Sequence, residues 1–332
     1  MTQSDAAGDA ETLDLADFGL EDEHFRHDLI EGLLGKPKTA PCKYLYDRAG
    51  SQIFDRICEV KDYYPTRTER TIFDAHLADM ADAIGPRAMV VEPGAGNGDK
   101  GILLLQALED PAAYVPLEIS KRHMMEASQH INSVFPDVEV LPVCADFTGD
   151  YTLPTPGHAC ERTVIYFPGS TIGNFDPTER AALLRSFADH VRDDGPGAGG
   201  LLVGFDLVKD PAVIERAYDD SEGVTRAFNL NLLERANREL GADFDVDAFT
   251  HRAVWNDGRK RLEMHLESQV DQTVTIGERQ IDFTKGETIH TENSHKFTVD
   301  GFASLAAEAG LTLRQAWTDE KGWFAVAWFE VC

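Results

Sequence analysis

Basic residues are scarce in this sequence: it has 31 lysines and arginines against 58 aspartates and glutamates, which gives a formal net charge of −27. No run rich in lysine or arginine interrupts this imbalance. A surface of this sign repels phosphate backbones, which argues against a nucleic-acid substrate. Such a charge either keeps a protein soluble or adapts it to high salt. Composition does not distinguish these two explanations.

The chain also lacks an apolar run long enough to cross a membrane, and it does not open with a signal-peptide pattern. Its five cysteines include no C-x-x-C pair. This odd, scattered set favours reduced thiols in a cytoplasmic protein over a disulfide framework or a zinc site. Of the eleven histidines, His290 and His295 are close, but no carboxylate or thiol cluster completes a ligand pattern, so we expect no metal.

A glycine-rich turn is the most informative feature that the sequence does contain. It reads G-A-G-N-G over 94–98, follows an apolar strand predicted at Ala88–Glu92, and precedes a predicted helix over Lys100–Leu108. A second apolar strand, Tyr114–Glu118, ends in a carboxylate. Such glycines let a ligand approach backbone amides, and the acid can bind a ribose diol. The spacing is not that of dehydrogenases, whereas an acid followed by G-x-G is the form seen in S-adenosylmethionine (SAM) methyltransferases.

Strands and helices alternate through the middle of the chain, which predicts a parallel sheet with helices on both faces. The helix that starts near Asp176 has a capping box, with Pro177 in its first turn, and Gly195-Pro196 ends it. The other expected elements of this sheet are a helix at Lys121–Val134 and strands at Val138–Val143, Thr163–Phe167, Gly200–Phe205, Thr312–Thr318 and Trp323–Val331. The last two form an antiparallel hairpin, the usual end of a class I SAM-methyltransferase (Rossmann-like) sheet.

A different pattern follows residue 208. Two predicted helices, Pro211–Asp219 and Val224–Leu240, lead into short alternating strands, which indicates a second, smaller α+β domain. We expect both domains to pack over the C-terminal strand ends, where such sheets bind ligands. The division that we predict is a disordered acidic leader over 1–20, a SAM-binding domain over 68–208 and 296–332, and a substrate-binding lid domain over 21–67 and 209–295.

Four longer motif groups extend the likeness beyond a fold. They are K-Y-L-Y-D-R-A-G-S from Lys43 with Y-Y-P-T-R from Tyr63, the glycine turn through Lys100, G-S-T-I-G-N from Gly169, and D-L-V-K-D from Asp206 with Y-D-D from Tyr218, F-N from Phe228 and T-E-N-S-H-K-F from Thr291. Through them the chain resembles the histidine Nα-methyltransferases of ergothioneine biosynthesis, from residue 36 to its end. The resemblance implies that SAM donates methyl groups to the α-amine of L-histidine three times, forming hercynine.

The resemblance also implies the residues of a SAM site. Gly94 is expected against the methionine portion, with Lys100 near its carboxylate, a favourable charged hydrogen bond. Glu118 is expected to bind both ribose hydroxyls; the family more often has aspartate there. Asp146 and Phe147 are expected on either side of the adenine, the carboxylate accepting a hydrogen bond from its exocyclic amine.

For the amino-acid substrate, the resemblance implies that Asn174 and Tyr218 hold the carboxylate. Glu292 and Ser294 alternate along an extended segment, so their side chains point the same way and can bind the two imidazole nitrogens. A site that hydrogen-bonds its ligand in this way rejects analogues without those groups. Met264 is expected to wall the ring pocket.

Tyr46 and Tyr63 are expected near the reacting amine. Methyl transfer is a direct displacement, so the amine must be neutral and held in line with the methyl group. A tyrosine hydroxyl can orient the amine, and aromatic faces tolerate the growing ammonium cation. No dedicated general base is evident, and deprotonation through water is expected.

Several alternatives stay open from the sequence. Each of five residues has a purely structural alternative to its expected binding role. Lys100 could be an ordinary surface lysine, and Asp146 and Asn174 could be turn residues. Tyr218 and Met264 could be packed in the core. An enzyme of the same frame with another amine substrate, such as tryptophan, is the first alternative function, although a small or apolar residue would then be expected instead of Glu292. A non-catalytic SAM or metabolite sensor is the second. We expect a monomer that acts on a small molecule.

Overall fold

The computed structural model describes residues 16–17, 22–192 and 199–331. Most of the predicted leader over 1–20 therefore lies outside the described residues, as does the predicted helix stop at Gly195-Pro196. Within the leader, Ala16–Asp17 is a two-residue strand. No helix in the described ranges is long and apolar enough to span a membrane.

Strands and helices are numbered in chain order. The strands are β1 (Ala16–Asp17), β2 (Lys38–Thr39), β3 (Ala88–Pro93), β4 (Ala113–Glu118), β5 (Glu139–Val140), β6 (Val143–Cys144), β7 (Arg162–Phe167), β8 (Gly200–Asp206), β9 (Phe249–Asn256), β10 (Arg261–Ser268), β11 (Gln272–Ile276), β12 (Arg279–Phe283), β13 (Thr288–His295), β14 (Leu311–Thr318) and β15 (Phe324–Val331). The helices are α1 (Asp22–Leu34), α2 (Arg48–Glu59), α3 (Tyr64–Ile84), α4 (Asp99–Leu105), α5 (Lys121–Val134), α6 (Pro177–Arg192), α7 (Pro211–Tyr218), α8 (Val224–Leu240) and α9 (Val299–Glu308), with 3₁₀ turns at Cys42–Leu45, Thr171–Asn174 and Val246–Ala248.

The larger sheet has the order β1-β6-β4-β3-β7-β8-β15-β14, with β5 also on β4. Strands β4, β3, β7 and β8 are parallel, whereas β15 is antiparallel to both β8 and β14. The predicted class I methyltransferase sheet with a C-terminal antiparallel hairpin is confirmed. Every residue of β3 is buried, as expected for a central parallel strand covered on both faces.

Two predicted elements of this sheet have different bounds. The single strand expected over Val138–Val143 is broken into β5 and β6, because Pro142 lies between them and has no N–H for a ladder hydrogen bond. The helix expected over Lys100–Leu108 is observed as the shorter α4. Gly98, which precedes this helix, has a left-handed backbone conformation.

A smaller sheet, β2-β13-β10-β9, and a hairpin, β11-β12, come from the two chain segments predicted to form the second domain, 21–67 and 209–295. Met264 lies opposite Glu292 and Leu262 opposite Ser294, so these four side chains share one face. The register then shifts, which places His265 opposite His290 and leaves Thr291 as the extra residue of a β-bulge. Strand β13 continues to His295, so Glu292 and Ser294 both lie within it.

Buried apolar side chains fall into three clusters. Two of them cover the two faces of the larger sheet; for example, Val91 belongs to one and Val90 to the other. The third is drawn from residues 25–64 and 214–289 and packs under the smaller sheet. Just after β13, Phe297 forms a parallel bridge with Leu207, so the end of β13 adjoins the end of β8. This junction brings the two sheets together.

Candidate active site

A cleft of about 2210 Å³ crosses the C-terminal ends of β3, β4 and β7 and reaches the smaller sheet. Beside it lies a small cavity of about 40 Å³. Together these two spaces are lined by all the residues that the sequence suggested: Tyr46, Tyr63, Gly94, Lys100, Glu118, Asp146, Phe147, Asn174, Tyr218, Met264, Glu292 and Ser294. The structure therefore brings the whole set together, while the role of each residue stays a prediction.

The glycine turn forms an open cradle at one end of the cleft. Gly94 has a φ of +70°, a conformation that favours glycine, and a side chain there would point toward the Phe147 ring, 3.7 Å away. The Gly96 amide donates to Oε2 of Glu118 at 3.3 Å, and the Ile119 amide donates to Oε1 at 2.9 Å. The carboxylate at the end of β4 is thus oriented by two backbone amides.

Asp146 and Phe147 follow β6 at the same edge. Oδ1 of Asp146 accepts hydrogen bonds from the amide and hydroxyl of Thr148, at 2.9 and 2.6 Å. Its Oδ2 lies 3.5 Å from Nζ of Lys43, a residue to which the sequence analysis gave no role. The Phe147 ring packs edge-on against Phe167, with ring centres 5.6 Å apart, so packing sets its orientation.

Lys100 projects from α4 and pairs with a residue that the sequence analysis missed. Its Nζ donates to Oε2 of Glu69 at 2.9 Å, while Oε1 of this buried glutamate accepts a hydrogen bond from the Gly169 amide at 2.6 Å. Burial opposes the charged lysine, but Glu69 outweighs it and raises the Lys100 pKa. Glu69 lies on α3, 31 positions earlier in the chain, so no sequence spacing links the two.

These groups have the donor and acceptor chemistry that SAM needs. A carboxylate at the second strand end suits a ribose diol, a lysine suits a carboxylate, and an aromatic ring beside an acid suits adenine. The left-handed glycines leave the backbone open to a close approach. The residues present therefore fit the cofactor.

Glu292 is the most unusual group at the other end of the cleft. It is buried on β13, and within the described residues its Oε2 has no hydrogen-bond partner. Burial raises the pKa of this carboxyl to about 7, although the nearby Lys296 opposes the shift. An unpaired acceptor of this kind is costly, so it indicates a place for a donor from a ligand.

Two hydroxyls adjoin this carboxylate. The Tyr218 and Ser294 oxygens are 2.7 Å apart, and both line the small cavity with Glu292 and the buried Met264. Nζ of Lys296 donates to Ser294 at 2.8 Å and to Tyr218 at 3.1 Å. Asn174, at the end of its 3₁₀ turn, lines both spaces.

Asp206, at the end of β8, anchors this cluster from below. Its buried carboxylate binds Lys296 at 2.7 Å, Lys209, and the Tyr64 hydroxyl, which donates at 2.6 Å. Burial would raise the pKa of Asp206, but the two lysines outweigh it and lower the pKa. In the sequence these residues stand out only as parts of longer motifs.

The two predicted tyrosines lie where the spaces meet. The Tyr63 ring packs edge-on against Tyr218, with ring centres 5.9 Å apart, and Tyr46 packs edge-on against Phe228 at 5.1 Å. Burial raises both of their pKa values well above the ordinary tyrosine value. Both hydroxyls therefore stay protonated at neutral pH and offer hydrogen bonds and aromatic faces, not a phenolate base.

A histidine–carboxylate cluster also lines the large cleft. The sequence pattern showed no carboxylate completing a ligand set, but the bulge brings Glu263, His265 and His290 together, with ligand atoms within 4.8 Å of one another. Oε1 of Glu263 already accepts hydrogen bonds from Arg261 and Asn256. The cluster is on the face of the smaller sheet opposite to Met264 and Glu292, so we do not include it in the reaction.

Comparison with known proteins agrees with this geometry. Residues 25–331 match the model of a family described as histidine-specific, SAM-dependent methyltransferases. The histidine N-alpha-methyltransferase of Mycolicibacterium smegmatis is 40% identical over 95% of this chain and 98% of that protein. Its Mycobacterium tuberculosis counterpart is 41% identical over 91% of this chain and 93% of that protein.

A more distant solved structure is a Burkholderia thailandensis 1,6-didemethyltoxoflavin-N1-methyltransferase, with 11% identity, 85% of this chain and 88% of that chain covered, and a TM-score of 0.44. The family model and the two full-length relatives leave one conclusion: this chain belongs to the histidine-specific, SAM-dependent methyltransferase family.

Proposed function

We propose that the protein transfers methyl groups from SAM to the α-amine of L-histidine and continues to the trimethylated product hercynine, the first step of ergothioneine biosynthesis. The observation that carries the substrate assignment is Glu292, a buried carboxylate whose Oε2 has no partner in the described part of the chain. Ser294 lies two residues further along the same strand face. An imidazole has a hydrogen-bonding nitrogen for each of them.

In this proposal, Glu292 accepts the ring N–H and Ser294 serves the other nitrogen, while Met264 covers a face of the ring. An indole ring has one N–H and no acceptor nitrogen, so it would leave Ser294 without a ring partner. A buried polar group left unpaired weakens binding by a large factor. For this reason we prefer histidine to tryptophan as the substrate.

The five residues proposed for the donor are Gly94, Lys100, Glu118, Asp146 and Phe147. SAM, when bound, supplies an electrophilic methyl group on a sulfonium. The chain positions the acceptor: the Asn174 amide donates to the amino-acid carboxylate with Tyr218 beside it, which fixes the α-amine at the junction of the two spaces. Alignment of the reacting atoms accounts for much of the acceleration in such a displacement.

Tyr46 and Tyr63 complete the proposed reaction site. Because burial keeps both hydroxyls protonated, they orient the neutral amine and do not deprotonate it. Their rings and that of Phe228 surround the nitrogen with aromatic faces that tolerate its growing positive charge. The amine loses its proton to water before each transfer.

The wider assignments belong to the same proposal. Segments 21–67 and 209–295 act as the substrate-binding lid, supported by their own apolar cluster. The protein acts as a monomer in the cytoplasm, without a metal. Within the described residues, Cys42, Cys58, Cys144 and Cys160 form no disulfide, in agreement with a reducing compartment.

Mass spectrometry of the purified protein with SAM and a mixture of all twenty amino acids tests the proposal. We expect histidine alone to gain mass, advancing to the trimethylated product. Methylation of another amino acid would overturn the pocket assignment and keep the enzyme class. Binding of SAM without any methylated product would favour a sensor.

A further inference from the structure

Lys296 is a buried cation directly behind the two hydroxyls proposed to meet the substrate. Its side chain is fully buried, and Nζ lies 2.7 Å from Asp206 Oδ2, 2.8 Å from Ser294 Oγ and 3.1 Å from Tyr218 Oη. An ammonium group has three protons and no acceptor. Each of these three oxygens therefore accepts one hydrogen bond from Lys296.

The remaining protons can be counted. Ser294 and Tyr218 each have one hydroxyl proton, and their oxygens are 2.7 Å apart, so one hydroxyl donates to the other. One proton is then left for a ligand. A phenol is more acidic than an alcohol and is the better donor, which favours Tyr218 donating to Ser294. Ser294 Oγ then accepts two hydrogen bonds, from Lys296 and Tyr218, and its own proton points away from them.

We infer that Lys296 is a specificity-determining residue, which positions Ser294 as an obligate hydrogen-bond donor and so selects a ligand ring with an unprotonated nitrogen at that point. This inference rests on the proposed histidine substrate. Glu292 is the complementary acceptor beside it, so the pair recognises one N–H and one bare nitrogen. That is one tautomer of neutral imidazole; an imidazolium ring would set a donor against a donor.

Polarisation strengthens the same arrangement. Hydrogen bonds in a chain reinforce one another, and Ser294 receives its two from a cation and from a phenol that the cation also contacts. The Ser294 hydroxyl is therefore a stronger donor than an isolated serine. Asp206 holds the cation in place from the opposite side, at 2.7 Å.

The chain offers a matched control in Lys209, which binds the other oxygen of the same carboxylate. Within the described ranges, Lys209 donates hydrogen bonds to Asp206, to the Tyr64 hydroxyl and to the Leu207 carbonyl. These hydrogen bonds do not include the hydroxyls of Ser294 and Tyr218. Lys296→Met and Lys209→Met each remove one lysine from Asp206. Only the first removes the hydrogen bonds to Ser294 and Tyr218.

The test is calorimetric titration of L-histidine into each variant, with S-adenosylhomocysteine present. Because hydrogen bonds from charged groups are strong, we expect Lys296→Met to weaken histidine binding about tenfold or more, and Lys209→Met to weaken it less than about threefold. Equal losses in the two variants would overturn the inference, since Lys296 would then act only by balancing the charge of Asp206.

A double-mutant cycle with Ser294→Ala distinguishes action through Ser294 from a purely structural role of Lys296. If Lys296 acts through Ser294, its removal in the Ser294→Ala background changes histidine binding less than about threefold. A full additional loss there would contradict the inference. If Lys296→Met does not fold, Lys296→Leu, which also lacks a donor, replaces it in the same cycle.

The two proposals fail in different ways. Wild-type protein that binds no histidine would refute the proposed function itself. Wild-type protein that binds histidine, with Lys296→Met binding it equally well, would refute the role of Lys296 and leave the function standing.

Discussion

Replacing Glu292 with glutamine is predicted to stabilise the protein and to weaken substrate binding at the same time. The carboxyl is buried, and burial raises its pKa from 4.5 to about 7, with Lys296 opposing the shift. A difference of this size between the unfolded and the folded chain corresponds to about 3 kcal/mol. The ionised carboxylate therefore destabilises the folded protein when no ligand is bound.

The sign follows from the proton balance. Below pH 4.5 the carboxyl is neutral in both the folded and the unfolded chain, and it carries no ionisation penalty. Between pH 4.5 and 7 the unfolded chain releases this proton and the folded chain keeps it, so stability falls as pH rises. Above pH 7 the full penalty of about 3 kcal/mol applies. Glutamine has the same shape and no charge, so Glu292→Gln is free of this penalty at every pH.

Urea unfolding of the ligand-free protein at pH 5 and pH 8 measures the effect. The advantage of Glu292→Gln over wild type should be small at pH 5 and approach about 3 kcal/mol at pH 8. Calorimetry should show a loss of histidine affinity of about tenfold to a hundredfold, as for a hydrogen bond to a charged group. SAM binding should change little.

Glu267→Gln is the control, because a hydrogen bond from Arg252 lowers the pKa of the Glu267 carboxyl instead of raising it. Its removal should not stabilise the protein at pH 8. The reasoning about Glu292 would be refuted if Glu292→Gln were no more stable than wild type at pH 8, or if its advantage were the same at both pH values.

Three further outcomes are expected. Tyr63→Phe should slow methylation in single-turnover assays about tenfold while SAM affinity changes less than about twofold, since the hydroxyl orients the amine; unchanged rates at every methylation step would contradict this. Lys100→Met should weaken SAM binding about tenfold or more in titrations and leave histidine binding intact, and equal losses for both ligands would exclude a local role. Because the formal net charge is −27, raising NaCl from 0.05 to about 1 M should raise the unfolding temperature, and an unchanged temperature would argue against self-repulsion.

The arrangement of the larger sheet could be predicted from the sequence, because the patterns that indicate it lie within short stretches of the chain. Apolar strands end in glycine or acid, and the closing hairpin follows from two strands joined by a short turn. The expected side-by-side placement of Glu292 and Ser294 is confirmed as geometry, because strand alternation needs only the sequence positions. Their binding roles stay a prediction.

Contacts between residues far apart in the chain could not be predicted from the sequence. Glu69 meets Lys100 only because α3 passes under the end of β7, and Lys296 meets Asp206 only because β13 ends beside β8. The break at Pro142 does have a local signal in the sequence, since proline is excluded from central ladders. The Glu263, His265 and His290 cluster depends on a bulge, and a one-residue shift of register has no signature in composition.

The separation of the two sheets has a consequence for how this scaffold can diversify. Residues proposed for the donor stand at the edge of the larger sheet, whereas Met264, Glu292 and Ser294 share a face of the smaller one. If these three side chains bind the substrate as proposed, substitutions there alter which amine is accepted without touching the glycine turn. A lineage could thus acquire a new acceptor by a few replacements on one short strand pair, while methyl-donor use is inherited intact.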